Sequence, residues 1–407
     1  MPLSSPRGFA LDEAVSRFIA DLDPVGSEEL GLDQAAGRVL AQPVVAARLV
    51  PDSARSAVDG WAVRAADTAA ATAESPVRLR IAGSALAGHP ASGAVVQGET
   101  VRITTGGVVP DGADAVEYQE VCRGDGEGVL FSRSVKTGAN VRSAGEDMRP
   151  GQEIVPAGGL VRPEVIGLLA ALAQDRVHVR RRLQVRFVST GDEIFRLGEP
   201  LPHGGTYDSN SLQIGAQLRA LGAEVELRGP VRDTAEAIAE ACRGDFDLLI
   251  TSGGVSVGPA DRIGEAGRLL GATVCFHWAR MRPGAPTMGL RLDGHPWLGL
   301  SGNPLSAQVG FDIFGRAAVA RLMGTESSLR RTKARLAEEF RGKAPDAPRF
   351  LRARFDMEGN EIRARIHPYQ SSGGVRAMAQ TNGYVVQPEG VGTLPGGSLV
   401  DALFILP

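Results

Sequence analysis

The sequence predicts a multidomain protein of class α/β plus β: a parallel, doubly wound α/β domain, a β-rich inserted domain ahead of it and a small β domain at the C-terminus. Three observations carry this expectation. The chain has 407 residues, room for two to four domains of roughly 150 each. Strand-like and helix-like patterns alternate between about Leu183 and Gly324. On either side the pattern falls to short β-branched runs separated by Gly, Pro and Asp turns.

Taken in order, Leu11, Ala14, Val15, Phe18, Ile19 and Leu22 recur at the spacing of one helix face. From about 44 to 156 the runs 77–81, 100–104 and 115–118 read as strands, and the Ala-rich stretch 65–73 as a loose helix. A helix is expected over 163–173, with Pro163 at its first turn. The alternating region then gives a strand at 183–188, a helix near 211–221 stopped by Gly222, a strand at 224–228 and a helix near 234–242. It continues with a strand at 248–251, a helix after Asp261, strands at 273–276 and 297–300, and a helix after Pro304. Such alternation implies ligand at the carboxyl ends of the strands. The tail from about Arg331 returns to strands at 349–355, 361–366, 384–387 and 399–405. The expected domains are 7–50 with 148–182, a discontinuous helical and linker domain; 51–147, β-rich; 183–326, α/β; and 331–407, β.

A net charge of −3, with 22% charged and 43% hydrophobic residues, is the balance of a soluble globular protein. It offers no basic field for nucleic acid. The longest apolar runs fall well short of the ~20 residues that cross a bilayer, so no membrane role is expected. Pro2, Ser4, Ser5 and Pro6 interrupt any signal-like apolar stretch. Cys122, Cys242 and Cys275 are odd in number and far apart, which predicts reduced thiols and a cytoplasmic protein. Lys136, Lys333 and Lys343 are the only lysines, so 41 of the 44 basic residues are arginine. An anion site here would rest mainly on guanidinium and backbone N–H groups.

Three polar, glycine-bearing loops each follow a predicted strand: 190–193 (Thr-Gly-Asp-Glu), 252–258 (Ser-Gly-Gly-Val-Ser-Val-Gly) and 301–304 (Ser-Gly-Asn-Pro). All three should open on one crevice. Gly253, Gly254 and Gly258 remove Cβ atoms where backbone N–H groups would approach an anion, and Ser252 and Ser256 add hydroxyl donors. A glycine turn alone would explain any one of these loops; three on one edge point to a phosphate or pterin-phosphate site. The segment 254–258 also satisfies G-x-S-x-G, a hydrolase nucleophile elbow. That elbow needs a helix directly after the serine, whereas Gly258-Pro259 intervene and Asp261 has the place of the helix cap. Ser256 is therefore expected as a donor.

Asp192, Glu193, Asp208, Asp233 and Asp261 gather near these loops, the residue type with which a hard cation such as Mg²⁺ bridges protein and phosphate. Any one of them could equally be a helix cap or a solvated turn. No histidine pair has zinc spacing, and no G-x-x-x-x-G-K-[ST] motif is present. In the β-rich half, 56–62 (Ser-Ala-Val-Asp-Gly-Trp-Ala), 102–106 (Arg-Ile-Thr-Thr-Gly) and 144–147 (Ala-Gly-Glu-Asp) read on their own chemistry as β-turns.

Taken in order, these segments resemble the molybdopterin molybdenumtransferase family, to which the gephyrin E domain belongs, from about Ala10 to the C-terminus. The matching blocks are 56–62, 102–106, 144–147, 189–194, 208–210, 252–261, 302–304 and 371–383. The resemblance implies a homodimeric enzyme with a composite active site that converts adenylylated molybdopterin and molybdate into molybdenum cofactor and AMP, assisted by Mg²⁺. It implies Asp59, Thr105, Asp147, Glu193, Asp233, Asp261 and Arg282 as catalytic residues, with Glu193, Asp233 and Asp261 at the metal and Thr105 and Arg282 meeting oxyanions. The substrate-binding candidates are Asp208, Asn210, Ser252, Gly253, Gly254, Ser256, Gly258, Gly302, Asn303, Pro304 and Arg352. Transient contact with a molybdopterin adenylyltransferase is a further expectation. The family's Lys-Pro-Gly-Lys-Pro is here 282–286, Arg-Pro-Gly-Ala-Pro; Trp278 replaces a further lysine, and Ser301 replaces a proline. Two alternatives remain at this point: an adenylyltransferase-like enzyme, which would not need the flanking β domains, and a non-catalytic scaffold of the gephyrin type.

Overall fold

The computed structural model describes residues 8–255 and 261–405. The chain forms two compact units, one made of residues up to Gln42, Ala157–Val161 and those from Val177 onward, the other of Pro43–Pro156 and Arg162–Arg176.

The larger unit is organised by a six-stranded sheet in the order Glu224–Val231, Gln184–Thr190, Leu248–Ser252, His295–Leu300, Met288–Leu292, Thr273–His277. The first four strands are parallel, as the alternating pattern predicts. The last two are antiparallel, which corrects the expectation of a wholly parallel sheet. The cause is local. Asp293 and Gly294 both adopt left-handed backbone, φ +50° and +85°, and form the two-residue turn that sends Met288–Leu292 straight back alongside His295–Leu300.

Both faces of the sheet are covered. Leu248 and Ile250 enter one core, with Phe18, Ile214, Leu218, Phe276 and Phe314. Leu249, between them, enters the other with Ile238, Ala239, Ile263 and Ala266. Alternation of neighbouring side chains between two helix-covered cores is the doubly wound arrangement. The first helix, Leu11–Ile19, joins the former core through Ala14 and Phe18, and the Phe18 ring lies edge-on to Phe276 and Phe314.

After Pro304 the chain makes a helix, Pro304–Gly310, a π-helical turn, Phe311–Gly315, and a second helix, Arg316–Met323, closed by left-handed Gly324. The π turn carries the fully buried Asp312. Asp312 accepts hydrogen bonds from Arg316 Nε (2.8 Å), Gln308 Nε2 (2.8 Å) and the Tyr384 hydroxyl (2.7 Å), while Arg316 Nη2 donates to Gln217 Oε1 (2.7 Å). Burial, reinforced by the Asp312 charge, raises the Tyr384 hydroxyl well above its ordinary pKa, so it stays a donor.

The C-terminal strands Leu329–Leu336, Glu361–Ile366, Arg349–Glu358, Gly383–Gln387 and Leu399–Ile405 close into a barrel. Leu351, Ala353, Val385 and Ala402 fill its interior. Phe350, Tyr384 and Leu403, by contrast, belong to the same core as Phe311 and Phe314 of the α/β domain.

The smaller unit contains a six-stranded sheet in the order Ala115–Tyr118, Gly60–Val63, Glu99–Ile103, Val77–Ala85, Gly128–Phe131, Cys122–Gly124. Val63, Leu79, Val129 and Phe131 pack in one cluster, and Ala62, Val101, Ile103 and Val116 in another. The helix expected over 65–73 shrinks to one 3₁₀ turn, Ala65–Thr68. Asp114 takes the Ala65 N–H (2.7 Å), and the buried Thr68 hydroxyl donates to Ala65 O and accepts from Val135 N, both at 2.9 Å. These tertiary bonds replace the helical continuation. The helix Pro163–Ala171 forms as expected.

The three cysteines are free. Burial pushes the thiols of Cys122 and Cys242 up to about 12, which leaves no thiolate for chemistry at neutral pH. Among the described residues no helix is long and apolar enough to cross a membrane.

Candidate functional site

The three glycine-bearing loops leave the sheet at one level, because Ser189 is in register with Ser252 and Ser252 with Leu300. From Gln184–Thr190 the chain runs to one neighbour, Glu224–Val231, and then returns to the opposite neighbour, Leu248–Ser252. The loops after Thr190 and Ser252 therefore flank the topological switch point, where open α/β sheets bind ligand. A polar cleft of about 150 Å³ lies there. Of the sequence-predicted residues, Glu193, Asp208, Asn210, Asp233, Ser252, Gly253, Gly254 and Gly302 line it together.

Several of these side chains are already engaged. Asp208 caps the helix Ser209–Ala220, taking the Ser211 N–H (3.0 Å) and hydroxyl (2.6 Å). Asn210 is buried and donates to Ser252 Oγ (2.9 Å) and Gly302 O (2.8 Å), so one amide clasps the second loop to the third. Asp233 accepts from the Thr190 hydroxyl (3.2 Å), and its N–H donates to Asp192 (3.4 Å). These last two contacts tie the loop after Val231 to the loop after Thr190.

Gly253 is placed differently from the expectation. Its N–H donates to Leu300 O (3.0 Å) and is spent within the sheet edge. Glycine is needed here because φ is +102° and a Cβ would stand 2.2 Å from Thr190 O. Gly254, at φ +67°, brings the backbone to Asp233, whose Oδ1 would lie 3.2 Å from a Cβ.

Asp261 caps the helix Arg262–Leu269 through Gly264 N (3.1 Å), and its second oxygen lies 3.8 Å from His277 Nε2. Asn303 and Pro304 start the helix after the third loop, with Pro304 at its first position. Ser256 and Gly258 lie outside the described residues. Among the described residues no group of three or more His, Cys, Asp or Glu is arranged to hold a metal ion. Glu193, Asp233 and Asp261 thus do not make a closed three-carboxylate centre; Glu193 and Asp233 are the pair that share the cleft.

Arg282 is already paired. Its guanidinium makes a bidentate pair with Asp346, Nε to Oδ1 at 2.5 Å and Nη2 to Oδ2 at 2.7 Å, and its backbone bonds to Pro348 and Phe350 of the barrel. The Arg282 hydrogen bonds hold the Asp346 carboxyl down at about 2. In this arrangement Arg282 links the α/β domain to the barrel. Arg352 is also committed: it is buried and donates to the carbonyls of Gly374 (2.7 Å), Tyr369 (2.8 Å) and Ser371 (3.1 Å). Desolvation lowers its pKa. Arg352 reaches the site through this loop, since Leu305 N, two residues past Asn303, donates to Ser372 O (3.0 Å).

Asp59, Thr105 and Asp147 belong to the smaller unit, and all three are exposed. Asp59 accepts from Thr105 N (2.7 Å) and Oγ1 (3.0 Å), which together lower its pKa and fix the carboxylate in one orientation. Sequence reasoning named Thr190 only as the start of the first loop, with no role of its own, and left His277 out of the site. Thr190 is the last residue of its strand, a position that could have marked it; His277 was visible only to a search for zinc spacing, which it does not satisfy.

Comparison with known proteins agrees with this arrangement. The family models of the MoeA N-terminal region (domain I and II), the probable molybdopterin binding domain and the MoeA C-terminal region (domain IV) match residues 9–173, 186–321 and 333–405. The Bacillus subtilis molybdopterin molybdenumtransferase is 33% identical, over 97% of this chain and 94% of its own length. Molybdopterin molybdenumtransferase 2 of Mycobacterium tuberculosis is 35% identical, over 90% and 92%. The crystal structure of the molybdopterin biosynthesis MoeA protein from Pyrococcus horikoshii superposes with a TM-score of 0.86 at 29% identity, covering 98% of this chain and 100% of that one. The α/β domain with its flanking β domains, the switch-point cleft and these matches over nearly the whole length lead to one conclusion: the chain belongs to the MoeA family of molybdopterin molybdenumtransferases, enzymes of molybdenum cofactor biosynthesis.

Proposed function

We propose that the polar cleft holds the phosphoanhydride of adenylylated molybdopterin, and that molybdate is inserted as this anhydride is hydrolysed to AMP. The observation that carries the reading is the pair Glu193 and Asp233, two carboxylates in one small cleft at the switch point. Mg²⁺ commonly binds through one or two carboxylates and completes its shell with substrate phosphate and water, which this donor set fits. When bound, the ion would neutralise phosphate charge and polarise the anhydride.

The chain's own residues do the rest. Asn210 keeps the second and third loops at a fixed separation, and the Thr190 hydroxyl holds Asp233 facing the cleft. Asp261 does not line the cleft, but its helix meets the cleft loop where Ile263 N donates to Gly254 O (3.2 Å), and on that ground it is given the proton of the attacking water. That water adds to the adenylyl phosphorus, the P–O–P bond breaks, AMP departs and molybdopterin keeps its phosphate monoester; its dithiol forms two Mo–S bonds as one molybdate oxygen leaves as water with the two thiol protons. Asp59 and Asp147 act from the partner protomer of a homodimer, a reading supported by the exposed, rigidly held Asp59 carboxylate. We also propose a cytoplasmic enzyme that takes its substrate by transient contact with the adenylyltransferase.

AMP release from adenylylated molybdopterin, measured against molybdate and Mg²⁺ concentration, tests the reaction. Release should depend on both and vanish in Asp233→Asn; release independent of molybdate overturns the reading. Mixing Asp59→Asn with Asp261→Asn protomers tests the shared site: random exchange makes about half the dimers heterodimeric, and these should regain activity. No regain rejects the composite site.

A further inference from the structure

Two helices that begin at the cleft loops are joined again further along their length. The helix Ser209–Ala220 carries Asn210 in its first turn, and the helix Pro304–Gly310 starts directly after the third loop. Ile214 and Leu218 of the former share a core with Leu305 and Val309 of the latter. Apolar packing of this kind is non-directional and leaves the register of two helices along their axes loosely set. Directional bonds set it here. Gln308 Oε1 accepts from Gln213 Nε2 (2.5 Å) and Gln217 Nε2 (2.7 Å), roughly one and two turns beyond Asn210.

Gln308 is held in turn from its other side. Its Nε2 donates to Asp312 (2.8 Å) and to Gln217 Oε1 (3.1 Å), so a flipped amide would set its oxygen against the buried carboxylate. Asp312 also accepts from Arg316 and from the barrel's Tyr384, and Arg316 orients Gln217. Gln308, Asp312 and Arg316 follow one another at intervals of four residues, with Asp312 in the π turn, a feature frequent at functional sites. Stability alone does not require this network, since apolar side chains of similar volume often replace a buried ion pair without loss. We infer that Gln308 is a positioning residue for the reaction: through Gln213 and Gln217 it holds the helix Ser209–Ala220 at the register where Asn210 spans Ser252 and Gly302, and through Asp312 and Tyr384 the barrel holds Gln308. The inference rests on the reading of the polar cleft as the phosphoanhydride site. Gln308 does not line that cleft, so its effect on turnover passes through the helix.

The test is a double-mutant cycle on AMP release by the full-length protein, at a temperature where circular dichroism shows every variant folded. Gln308→Leu should lower kcat by roughly 10- to 100-fold, the upper figure being the cost of a misplacement of about 1 Å, with KM held within about threefold because substrate binding is not what the register serves. Tyr384→Phe removes one hydroxyl and should lower kcat by roughly 2- to 10-fold, the worth of one hydrogen bond. Asn210→Ala should lower kcat as well. In that background Gln308→Leu should then cost less than about twofold, whereas independent sites would add in full. An unchanged kcat in Gln308→Leu or in Asn210→Ala overturns the inference, as does full additivity of the two. If Gln308→Leu does not fold, Tyr384→Phe with Asn210→Ala makes the same cycle and decides in its place. AMP release that survives Asp233→Asn rejects the reading of the cleft and the inference with it; release that vanishes in Asp233→Asn yet ignores Gln308→Leu rejects the inference alone.

Discussion

Asp261 carries two roles that a pair of substitutions separates. Its Oδ1 accepts the Gly264 N–H at 3.1 Å and so caps the eight-residue helix Arg262–Leu269. Asparagine caps a helix about as well as aspartate, whereas alanine forfeits about 0.5–2 kcal/mol. Asp261→Asn should therefore match the parent within about 0.5 kcal/mol in urea unfolding, and Asp261→Ala should fall about 1 kcal/mol below it. The chemistry should follow a different order. If the carboxylate takes the proton of the attacking water, both variants lose AMP release by roughly 10²- to 10⁴-fold, the usual worth of a general base. The two assays together make a pattern that neither role alone produces: stability tracks the cap, and turnover tracks the charge. Turnover of Asp261→Asn within a factor of about three of the parent, far less than a lost general base costs, would remove Asp261 from the chemistry. Equal unfolding midpoints for Asn and Ala would remove it from the helix.

Three further outcomes follow from the geometry. Asn210→Ala deletes a buried hydrogen bond to Ser252 and a part-buried one to Gly302, and should cost about 1–3 kcal/mol in urea unfolding; an unshifted midpoint would show that the clasp adds nothing. Gly253→Ala sets a Cβ 2.2 Å from Thr190 O at φ +102°, so strain and overpacking should cost about 2–5 kcal/mol, read as a lowered melting temperature. Asp346 should titrate at about 2 in NMR, below its ordinary 3.8. Its folded pKa is the depressed one, so the stabilisation by Arg282 is complete above 3.8 and is lost as the pH falls through about 2. Arg282→Ala should return the carboxyl towards 3.8, and a value near 3.8 already in the parent would disprove the pair.

The α/β succession was legible because each element carries its own local signal: apolar periodicity, a stop such as Gly222, or a cap such as Asp261. The antiparallel edge was legible too, in Asp293-Gly294 between two apolar runs, but the regular alternation around it suppressed that reading. At the site, the identity of Asp208 and Asn210 could be read, and their work could not. A capping carboxylate and a clasping amide differ only in what folding brings next to them: Ser211 in the one case, Ser252 and Gly302 in the other. Arg282 marks the limit of such reasoning. Its partner lies 64 residues further on, in another domain, and no local pattern announces it.

Three family segments match this chain separately, as though it were assembled from independent parts. The core says otherwise. Phe18 from the first helix, Phe314 from the π turn and Phe350, Tyr384 and Leu403 from the barrel pack in one cluster, and the Tyr384 hydroxyl completes the shell of the buried Asp312. During synthesis, then, the α/β domain cannot finish folding when its own last helix leaves the ribosome. Until Leu403 has emerged, one wall of its interior is missing and the buried carboxylate lacks a donor. The same dependence governs recombination: a barrel borrowed from a relative would have to bring a matching tyrosine and two fitting apolar side chains, so the boundary near residue 330 divides the sequence without dividing the cooperative structure.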